Sequence, residues 1–376
     1  MPNKYILVIV KNKLMTIDTV LPILLELKEK YNISSKVVVS DEMAHNGIRK
    51  NVVIRDAIDY VGTELYIGGK SSIKIVEKLF KMAWFCFLFF RLIIGTKVLH
   101  FGTFNMFPYS LLGRMFGKNL YFLQNDSFLH SYRKFDTFFG KNSIIIPPIG
   151  KNIVAFNDAM THLDLATDNH KVFMFGNTRT RKSWISYIKH RSDDYFYNYH
   201  REVDFSKGCI VLVLGHFNKT KMLRTSHSLR NLFEKTVETL NEVKGDLPVL
   251  IKPHVFTDLV VVDEVMSNLD GFYITYLHPT VLATKAKVFI CNSYSTTMAD
   301  AKSIGVGTVE YSDYCIDLLK LSKGKSIGYE FIDEFINNNQ DDFKNAIKLM
   351  LTANVYSGIF SSNSSDANKL LVELAE

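Results

Sequence analysis

The stretch Lys285–Asp313 constrains the fold most, because it has the pattern of a complete strand–turn–helix–strand unit. Val288–Cys291 is a short run of apolar residues, which is typical of a buried strand. Met298–Ile304 has helical composition and ends at Gly305, a common helix cap. Gly307–Tyr311 predicts the next strand. This order indicates a parallel βαβ unit.

The turn inside this unit is rich in hydroxyl groups. It follows a strand and precedes a helix, where open α/β sheets bind ligands and where a helix start favours an anion. A helix cap needs one hydroxyl, whereas this turn has four in the five positions 293–297. Capping alone remains the alternative to phosphate binding. The predicted binding residues are Asn292, Ser293, Ser295, Thr296 and Thr297.

Strand and helix patterns alternate along the whole chain, from the strand Tyr5–Val10 to a predicted helix at Ile327–Ile336. The 376 residues are enough for two domains with separate cores. A polar and aromatic segment, Ser192–Lys207, predicts the boundary between them. We therefore expect an α/β protein with two doubly wound, Rossmann-like parallel-sheet domains that face a central cleft. Their predicted ranges are 1–195 and 205–376, and the terminal helices could pack back on the first domain.

The composition indicates a globular, weakly basic protein. Hydrophobic residues make up 47% of the chain and charged residues 22%, which excludes a disordered chain. The net charge of +7 suits an anionic ligand or membrane surface. No zinc-finger spacing, RNP motif or long basic tract is present, so we expect no nucleic-acid partner. Four dispersed cysteines and a strand-like N-terminus without signal-peptide features predict a cytoplasmic protein.

The most hydrophobic segment, Ile73–Ile94, has two interpretations. Its centre, MAWFCFLFFRLII, contains Arg91 and is too short to span a bilayer. Lysines 74, 78 and 81 precede this apolar centre. A helix buried against the sheet is the preferred interpretation. A helix lying on the inner membrane face, with the lysines beside it, is the alternative.

Two further clusters follow predicted strands of the second half. Gly215 and His216 follow the predicted strand Cys209–Leu214. Lys252 and His254 follow the predicted strand Pro248–Ile251. In a parallel sheet these clusters and the hydroxyl turn would face the same rim. Lysine, histidine and hydroxyl groups together suit a diphosphate or a phosphodiester. A single histidine is more often a structural, hydrogen-bonded residue, but the conjunction of three clusters favours binding.

Candidate catalytic carboxylates follow strands of the first half. Asp126 comes shortly after the predicted strand Leu120–Leu123 and is the candidate base, although a turn cap is the alternative. Asp41 and Glu42, which follow the predicted strand Lys36–Val39, are the next candidates for the base. No Asp-x-Asp triplet follows a strand and no zinc-ligand spacing occurs, so we expect no metal.

The segments LPVLIKPH and KAKVFICNSYSTTMADAKSIGVGTVEY resemble the C-terminal half of GT-B-fold glycosyltransferases that build bacterial capsules and other surface polysaccharides. VFMFGNTRTRKSW is similar to a segment that closes the N-terminal half of those enzymes. Polysialyltransferases, Kdo transferases, CDP-glycerol glycerophosphotransferases and UDP-N-acetylglucosamine epimerases share this layout. Two departures concern the donor: Asp300 stands where many relatives have glutamate, and Asn177-Thr178-Arg179 lacks the usual proline.

The resemblance implies that a nucleotide-sugar donor binds the C-terminal domain. His254 would contact the donor phosphate, Ser293, Ser295 and Thr296 would hold the phosphate or nucleotide, and Asn177 and Arg179 would add substrate contacts. The implied activity is an inverting, metal-independent transfer, without a further cofactor, from a CMP- or UDP-linked sugar to a surface glycan or lipid-linked acceptor. Alternatives on the same fold are a UDP-sugar 2-epimerase and a polyol-phosphate transferase. A non-catalytic nucleotide-sugar-binding scaffold is the alternative from another class.

Overall fold

The computed structural model describes residues 4–10, 14–68, 74–123, 135, 138, 148–157, 161–215, 217, 220–225, 227–254, 257–352 and 365–376. The chain forms two compact units. Unit 1 comprises the described residues up to 123, from 148 to 184 and from 365 to 376. Unit 2 comprises residues 135 and 138 and the described residues from 185 to 352.

Unit 1 contains a sheet of seven strands among the described residues. The strands are β1 Tyr5–Val10, β2 Ser34–Val39, β3 Gly62–Tyr66, β4 Val98–His100, β5 Leu120–Leu123, β6 Asn152–Ala155 and β7 Lys171–Met174. All pair in parallel, in the spatial order β3-β2-β1-β4-β5-β6-β7. Five of the six residues of β1 are buried, as expected for a parallel strand covered on both faces.

The helices that belong to unit 1 cover this sheet or extend from it. They are α1 Leu14–Tyr31, α2 Glu42–Lys50, α3 Val52–Val61, α4 Lys74–Ile93, α5 Tyr109–Met115 and the last helix of the chain, Ser365–Ala375. Short 3-10 helices occupy Thr103–Asn105, Gly117–Asn119 and Thr161–Leu165. A further helix, α6 Lys182–Tyr199, begins in unit 1 and continues into unit 2.

Unit 2 contains a parallel sheet of six strands, again counted over the described residues. The strands are β8 Cys209–Val213, β9 Val249–Lys252, β10 Phe272–Ile274, β11 Ala286–Asn292, β12 Gly307–Ser312 and β13 Glu334–Asn337. Their spatial order is β10-β9-β8-β11-β12-β13. The helices are α7 Ser228–Val243, α8 Leu259–Met266, α9 Pro279–Lys285, α10 Met298–Ile304, α11 Ile316–Ser322 and α12 Gln340–Thr352; Ser365–Ala375 is therefore α13.

The predicted class, two parallel Rossmann-like sheets with helices, is confirmed. Two details differ from the predictions. Ile327–Ile336 was predicted as a helix, but its last residues belong to strand β13. The units divide between Trp184 and Ile185, so α6 runs through the start of the predicted boundary. The mixed composition there is that of an amphipathic helix that buries Ser192, Tyr195 and Phe196.

Helix α4 is not enclosed, which corrects the preferred interpretation of the hydrophobic segment. Trp84, Leu88 and Leu92, four residues apart, are buried in the core of unit 1. Large apolar side chains on the other side of the same helix are exposed. No helix in the described part of the chain has both the length and the apolarity needed to cross a bilayer.

Candidate functional site

Three loops at the carboxyl ends of adjacent strands form the candidate site of unit 2. Strands β9, β8 and β11 are parallel neighbours, so the loops after them leave the same edge of the sheet. The strand order reverses between β8 and β11, which is where ligands bind in open α/β sheets. The fold therefore brings the three predicted clusters to one rim; their contact with a ligand stays a prediction.

Hydrogen bonds through Thr257 join two of these loops. Its hydroxyl donates to the carbonyl oxygen of Gly215 at 2.8 Å and accepts from the backbone N–H of His254, also at 2.8 Å. Among the described residues, no atom lies within 4 Å of where a Cβ on Gly215 would be, so these residues leave the space beside this glycine open. The His254 side chain is exposed, whereas Lys252, the last residue of β9, is half-buried. His216 lies outside the described residues.

The hydroxyl turn links β11 to α10 and includes a strained residue. Ser293 has φ of 73°, a left-handed conformation that a non-glycine residue adopts only when its surroundings enforce it. The hydroxyls of Ser295 and Thr297 are 2.9 Å apart and bond to each other. Thr296 is exposed. Among the described residues, no side chain bonds to the hydroxyl of Thr296 or to the hydroxyl of Ser293. These two hydroxyls can therefore donate to an anion.

Asn292 lies in the packing below the turn. It is buried, and its Nδ2 donates to Thr236 Oγ1 at 2.8 Å and to the carbonyl oxygen of Tyr311 at 3.4 Å. The amide thus ties β11 to α7 and β12. The structure does not bring this side chain to the rim with the hydroxyls. Asp300 is likewise enclosed, and its Oδ1 accepts a hydrogen bond from Thr280 at 3.0 Å.

A buried carboxyl group, Glu310, is hydrogen-bonded to the backbone of the hydroxyl turn. It lies beside Cys291 in the β11–β12 register and accepts hydrogen bonds from the Tyr314 hydroxyl at 2.6 Å, the Ser326 hydroxyl and the Tyr294 backbone N–H. Burial raises the pKa of Glu310 to about 7, although these hydrogen bonds act in the opposite direction. Burial, followed by the charge of Glu310, also raises the pKa of the Cys291 thiol. That thiol is therefore unsuited to be a nucleophile.

Glu310 is not among the site residues predicted from the sequence, although its position in a strand pattern is a signal for a buried carboxyl group. Glu310 lies within the pattern of a parallel strand, TVEY, and a central parallel strand is covered on both faces, so an acidic residue at any of its positions is expected to be buried. Its partners Tyr314 and Ser326 lie in later segments. They could not be assigned without the fold.

In unit 1, Asp126 lies outside the described residues, and the reserve carboxylates have other surroundings. Asp41 caps α2 by accepting from the Ala44 backbone N–H at 2.9 Å, and Glu42 is exposed in the first turn. A histidine–carboxylate pair of unit 1, His45 and Glu64, is a better candidate for acid–base chemistry. His45 Nδ1 lies 2.6 Å from Glu64 Oε1, and its ring stacks on Tyr66 with centroids 4.2 Å apart.

The segment that carries Asn177 and Arg179 is anchored inside unit 1. Arg179 is only 8% exposed, and Asn177 is half-buried. The nearby Arg181 is fully enclosed and forms a two-pronged ion pair with Glu26 of α1. Burial would raise the pKa of Glu26, but the hydrogen bonds and charges of Arg181 and Lys30 outweigh it and lower that pKa. The structure therefore assigns this segment an anchoring role; substrate contacts of Asn177 and Arg179 stay predictions.

Unit 2 also has a concavity of about 240 Å³ that contains none of the predicted residues. Phe196, His200, Phe205 and Lys285 are among its lining residues. His200 Nε2 bonds to Thr275 Oγ1 at 3.0 Å, and burial lowers the pKa of this histidine. Within the described ranges, no three His, Cys, Asp or Glu side chains are grouped so that they could hold a metal ion.

Comparisons with known proteins bear on the fold. No protein-family model matches the chain, and no curated protein matches its sequence. Among solved structures, UDP-GlcNAc 2-epimerase from Neisseria meningitidis bound to UDP-GlcNAc aligns with a TM-score of 0.57 and 15% identity over 99% of both chains. The Methanocaldococcus jannaschii UDP-GlcNAc 2-epimerase, in complex with UDP-GlcNAc and UDP, gives 0.56 and 17% over 98% of both. A variant of the wall teichoic acid polymerase TagF gives 0.50 and 11% over 99% of this chain and 88% of that one. The chain has a GT-B-like fold.

Proposed function

We propose that this protein is a glycosyltransferase that takes its sugar from a nucleotide-sugar donor. The observation that carries the proposal is the strand-end rim of unit 2 at the reversal of strand order, where Lys252 ends β9, the exposed His254 follows it, and the hydroxyls of Ser293 and Thr296 follow β11. The described residues leave space beside Gly215, which supports a ligand site at that rim. Such a combination suits the phosphate groups of a nucleotide.

The chemistry of the transfer assigns a role to each group. As the bond to the sugar breaks, negative charge grows on the nucleotide phosphate, and pre-oriented donors stabilise it. Ser293 and Thr296 supply hydroxyls, His254 supplies an N–H donor, and Lys252 supplies N–H donors and a positive charge. No step requires a metal ion when these groups bear the charge.

The acceptor hydroxyl must lose a proton as it attacks, so the reaction needs a general base. Asp126 remains the candidate from the sequence. His45, held by Glu64, is a second candidate, since a carboxylate fixes the orientation of an imidazole base. The substitutions Asp126→Asn and His45→Gln separate them, because the true base should lose at least about a hundredfold in turnover while donor affinity is retained.

Binding measurements with matched variants test the donor site. UDP and UDP-sugars should raise the melting temperature, because a ligand at 100 times its Kd stabilises the native state by about 2.7 kcal/mol; CMP, CDP and GDP forms complete the panel. The similarity to UDP-GlcNAc-binding structures favours UDP over CMP. Ser293→Ala and Thr296→Val should each weaken binding roughly tenfold, the usual effect of a lost hydrogen bond to a charged group. Ser186→Ala, at an exposed hydroxyl of α6, is the control. Equal affinities in all three variants would refute the site.

A UDP-sugar 2-epimerase is the second candidate, and the two epimerase structures that align over nearly the full chain favour it. Epimerisation at C2 exchanges a C–H proton and needs no acceptor, whereas glycosyl transfer needs an acceptor hydroxyl. Incubation of UDP-GlcNAc alone in deuterated water distinguishes them by NMR. Deuterium at C2 of the sugar indicates an epimerase, and turnover that begins only with an acceptor indicates a transferase.

Two remaining alternatives have their own signatures. A polyol-phosphate transferase would bind a CDP-linked polyol and pass on a phosphate with it, so the product would contain phosphorus. A scaffold protein would bind nucleotide sugar without turnover, and the Asp126→Asn variant would then bind it as the unmodified protein does.

A further inference from the structure

Helix α4 carries a continuous apolar stripe on its solvent side. The stripe follows helical spacing of three and four residues, so its members lie in one line along the helix. Its members are Ile75, Leu79, Met82, Cys86, Phe90 and Ile93, all exposed. Phe90, for example, is 63% exposed. The buried residues Trp84 and Leu88 lie on the opposite side, so the stripe is additional to what the core of unit 1 requires.

The neighbouring segment extends this apolar surface. Helix α5 packs beside α4, with ring centroids of Phe85 and Tyr109 5.9 Å apart. The exposed side chains of this segment include Met106, Phe107, Leu111 and Met115, and Phe107 is 80% exposed. We refer to the α4 stripe with these four side chains as the apolar face. Groups of exposed large apolar side chains on neighbouring elements mark contacts with proteins or membranes.

The segment that carries the apolar face is strongly basic. Between positions 74 and 119 the sequence has seven basic residues and one acidic residue, Glu77. The basic residues are Lys74, Lys78, Lys81, Arg91, Lys97, Arg114 and Lys118. Lys78, Lys81, Arg114 and Lys118 are exposed.

We propose that the apolar face docks unit 1 on an anionic lipid bilayer, with α4 lying in the interface rather than crossing it. The apolar stripe would enter the boundary between head groups and acyl chains, and the surrounding cations would pair with anionic head groups. A second copy of the chain fits less well, because a twofold contact would place each cationic rim against another. The proposal is independent of the donor site in unit 2.

Vesicle flotation of the full chain tests the proposal. Phosphatidylcholine vesicles with increasing shares of phosphatidylglycerol should retain increasing amounts of protein, and added salt should release it. Each exposed cation near an anionic surface contributes about fivefold to the partition coefficient. The double change Lys78→Glu, Lys81→Glu should therefore reduce partitioning by more than tenfold. Lys189→Glu, Lys348→Glu, at exposed lysines of unit 2, is the matched control.

The apolar contribution needs its own variant. Leu79→Gln, Met82→Gln, Phe90→Gln should reduce partitioning at least tenfold and leave the melting temperature unchanged, since all three side chains are exposed. Val260→Gln, Ile316→Gln, Leu349→Gln is the control with three similarly exposed residues of unit 2. Equal partitioning of the α4 variant and this control would overturn the proposal. Equal binding to neutral and anionic vesicles would also overturn it. A third contrary result would be that the unmodified protein binds no vesicles but forms a dimer, and that the α4 variant is a monomer.

Discussion

Glu310 is a carboxyl group enclosed on all sides within unit 2. Its hydrogen bonds connect the hydroxyl turn, through the Tyr294 backbone N–H, with Tyr314 and Ser326. Its pKa of about 7 in the folded protein exceeds the ordinary value of 4.5, so the native state binds a proton more tightly than the unfolded chain does. Stability from this group is fully present below pH 4.5 and is lost as the pH rises through 7.

The substitution Glu310→Gln should remove that pH dependence. From pH 5 to pH 8 the free energy of unfolding of the unmodified protein should fall by roughly 2–3 kcal/mol relative to the variant, as a pKa shift of this size implies. Urea titrations at four pH values measure the difference. Glu334→Gln, at an exposed carboxylate at the start of β13, is the control and should follow the unmodified protein. Parallel curves for Glu310→Gln and the unmodified protein would contradict the expected titration.

Individual side-chain roles were only partly predictable from the sequence. The hydroxyls at 293–297 were located correctly at the end of a strand, because strand and helix patterns bracket them. Asn292, one position earlier, points into the packing, and period-2 alternation in a strand makes that outcome physically natural. Arg181 rather than Arg179 forms the recorded ion pair with Glu26, whose position 155 residues earlier no local pattern indicates.

The hydroxyl turn and the segment before β13 pack against each other without spare room. A Cβ atom on Gly328 would lie 1.7 Å from the Tyr294 ring, which belongs to the turn between Ser293 and Ser295. No rotation of the small group could relieve a contact this short, so the ring or the backbone would have to move.

Gly328→Ala should therefore displace the turn. We expect a loss of about 1–3 kcal/mol in stability and weaker nucleotide binding, measured by denaturant titration and calorimetry. Adding Tyr294→Ala removes the opposing ring, so the effect of Gly328→Ala on stability should largely disappear in that background. Gly117→Ala, whose Cβ would make only ordinary contacts at 3.6 Å, is the control. Additive effects of the two substitutions would show that the ring is not the obstacle.

Helices and strands with strong periodicity were predicted well, and those defined by their partners were not. Leu120–Leu123 and Met298–Ile304 have the predicted bounds, since apolar runs with clear ends specify them. Strand β13 pairs in parallel with β12, and this long-range pairing overrides the helical composition of Ile327–Ile336. For α4, composition indicated a hydrophobic helix but could not say which side the sheet would cover.

The chain ends in the unit where it begins. Helix α13 packs on α1 and β7 of unit 1, far away in sequence, and buries Ala367, Leu370, Leu371 and Leu374. Glu373 of the same helix accepts a hydrogen bond from the buried Tyr121 at 3.0 Å, and burial, together with this carboxylate, raises the pKa of Tyr121. Both tryptophans of the chain, Trp84 and Trp184, lie in unit 1, so their fluorescence reports on that unit.

The substitution Leu371→Ala should consequently destabilise unit 1 and spare the candidate donor site. Removing a fully buried leucine side chain leaves a cavity and lowers the free energy of unfolding by about 2–5 kcal/mol, which tryptophan fluorescence during urea denaturation would record. The nucleotide Kd in the absence of denaturant should stay within twofold, because the side chains proposed to bind the donor phosphate, Lys252, His254, Ser293 and Thr296, belong to unit 2. Val372→Ala, at a partly exposed neighbour on the same helix, should change the fluorescence midpoint far less. An unchanged midpoint for Leu371→Ala would mean that α13 adds no stability to unit 1. A lost nucleotide affinity would mean that the donor site depends on unit 1 as well.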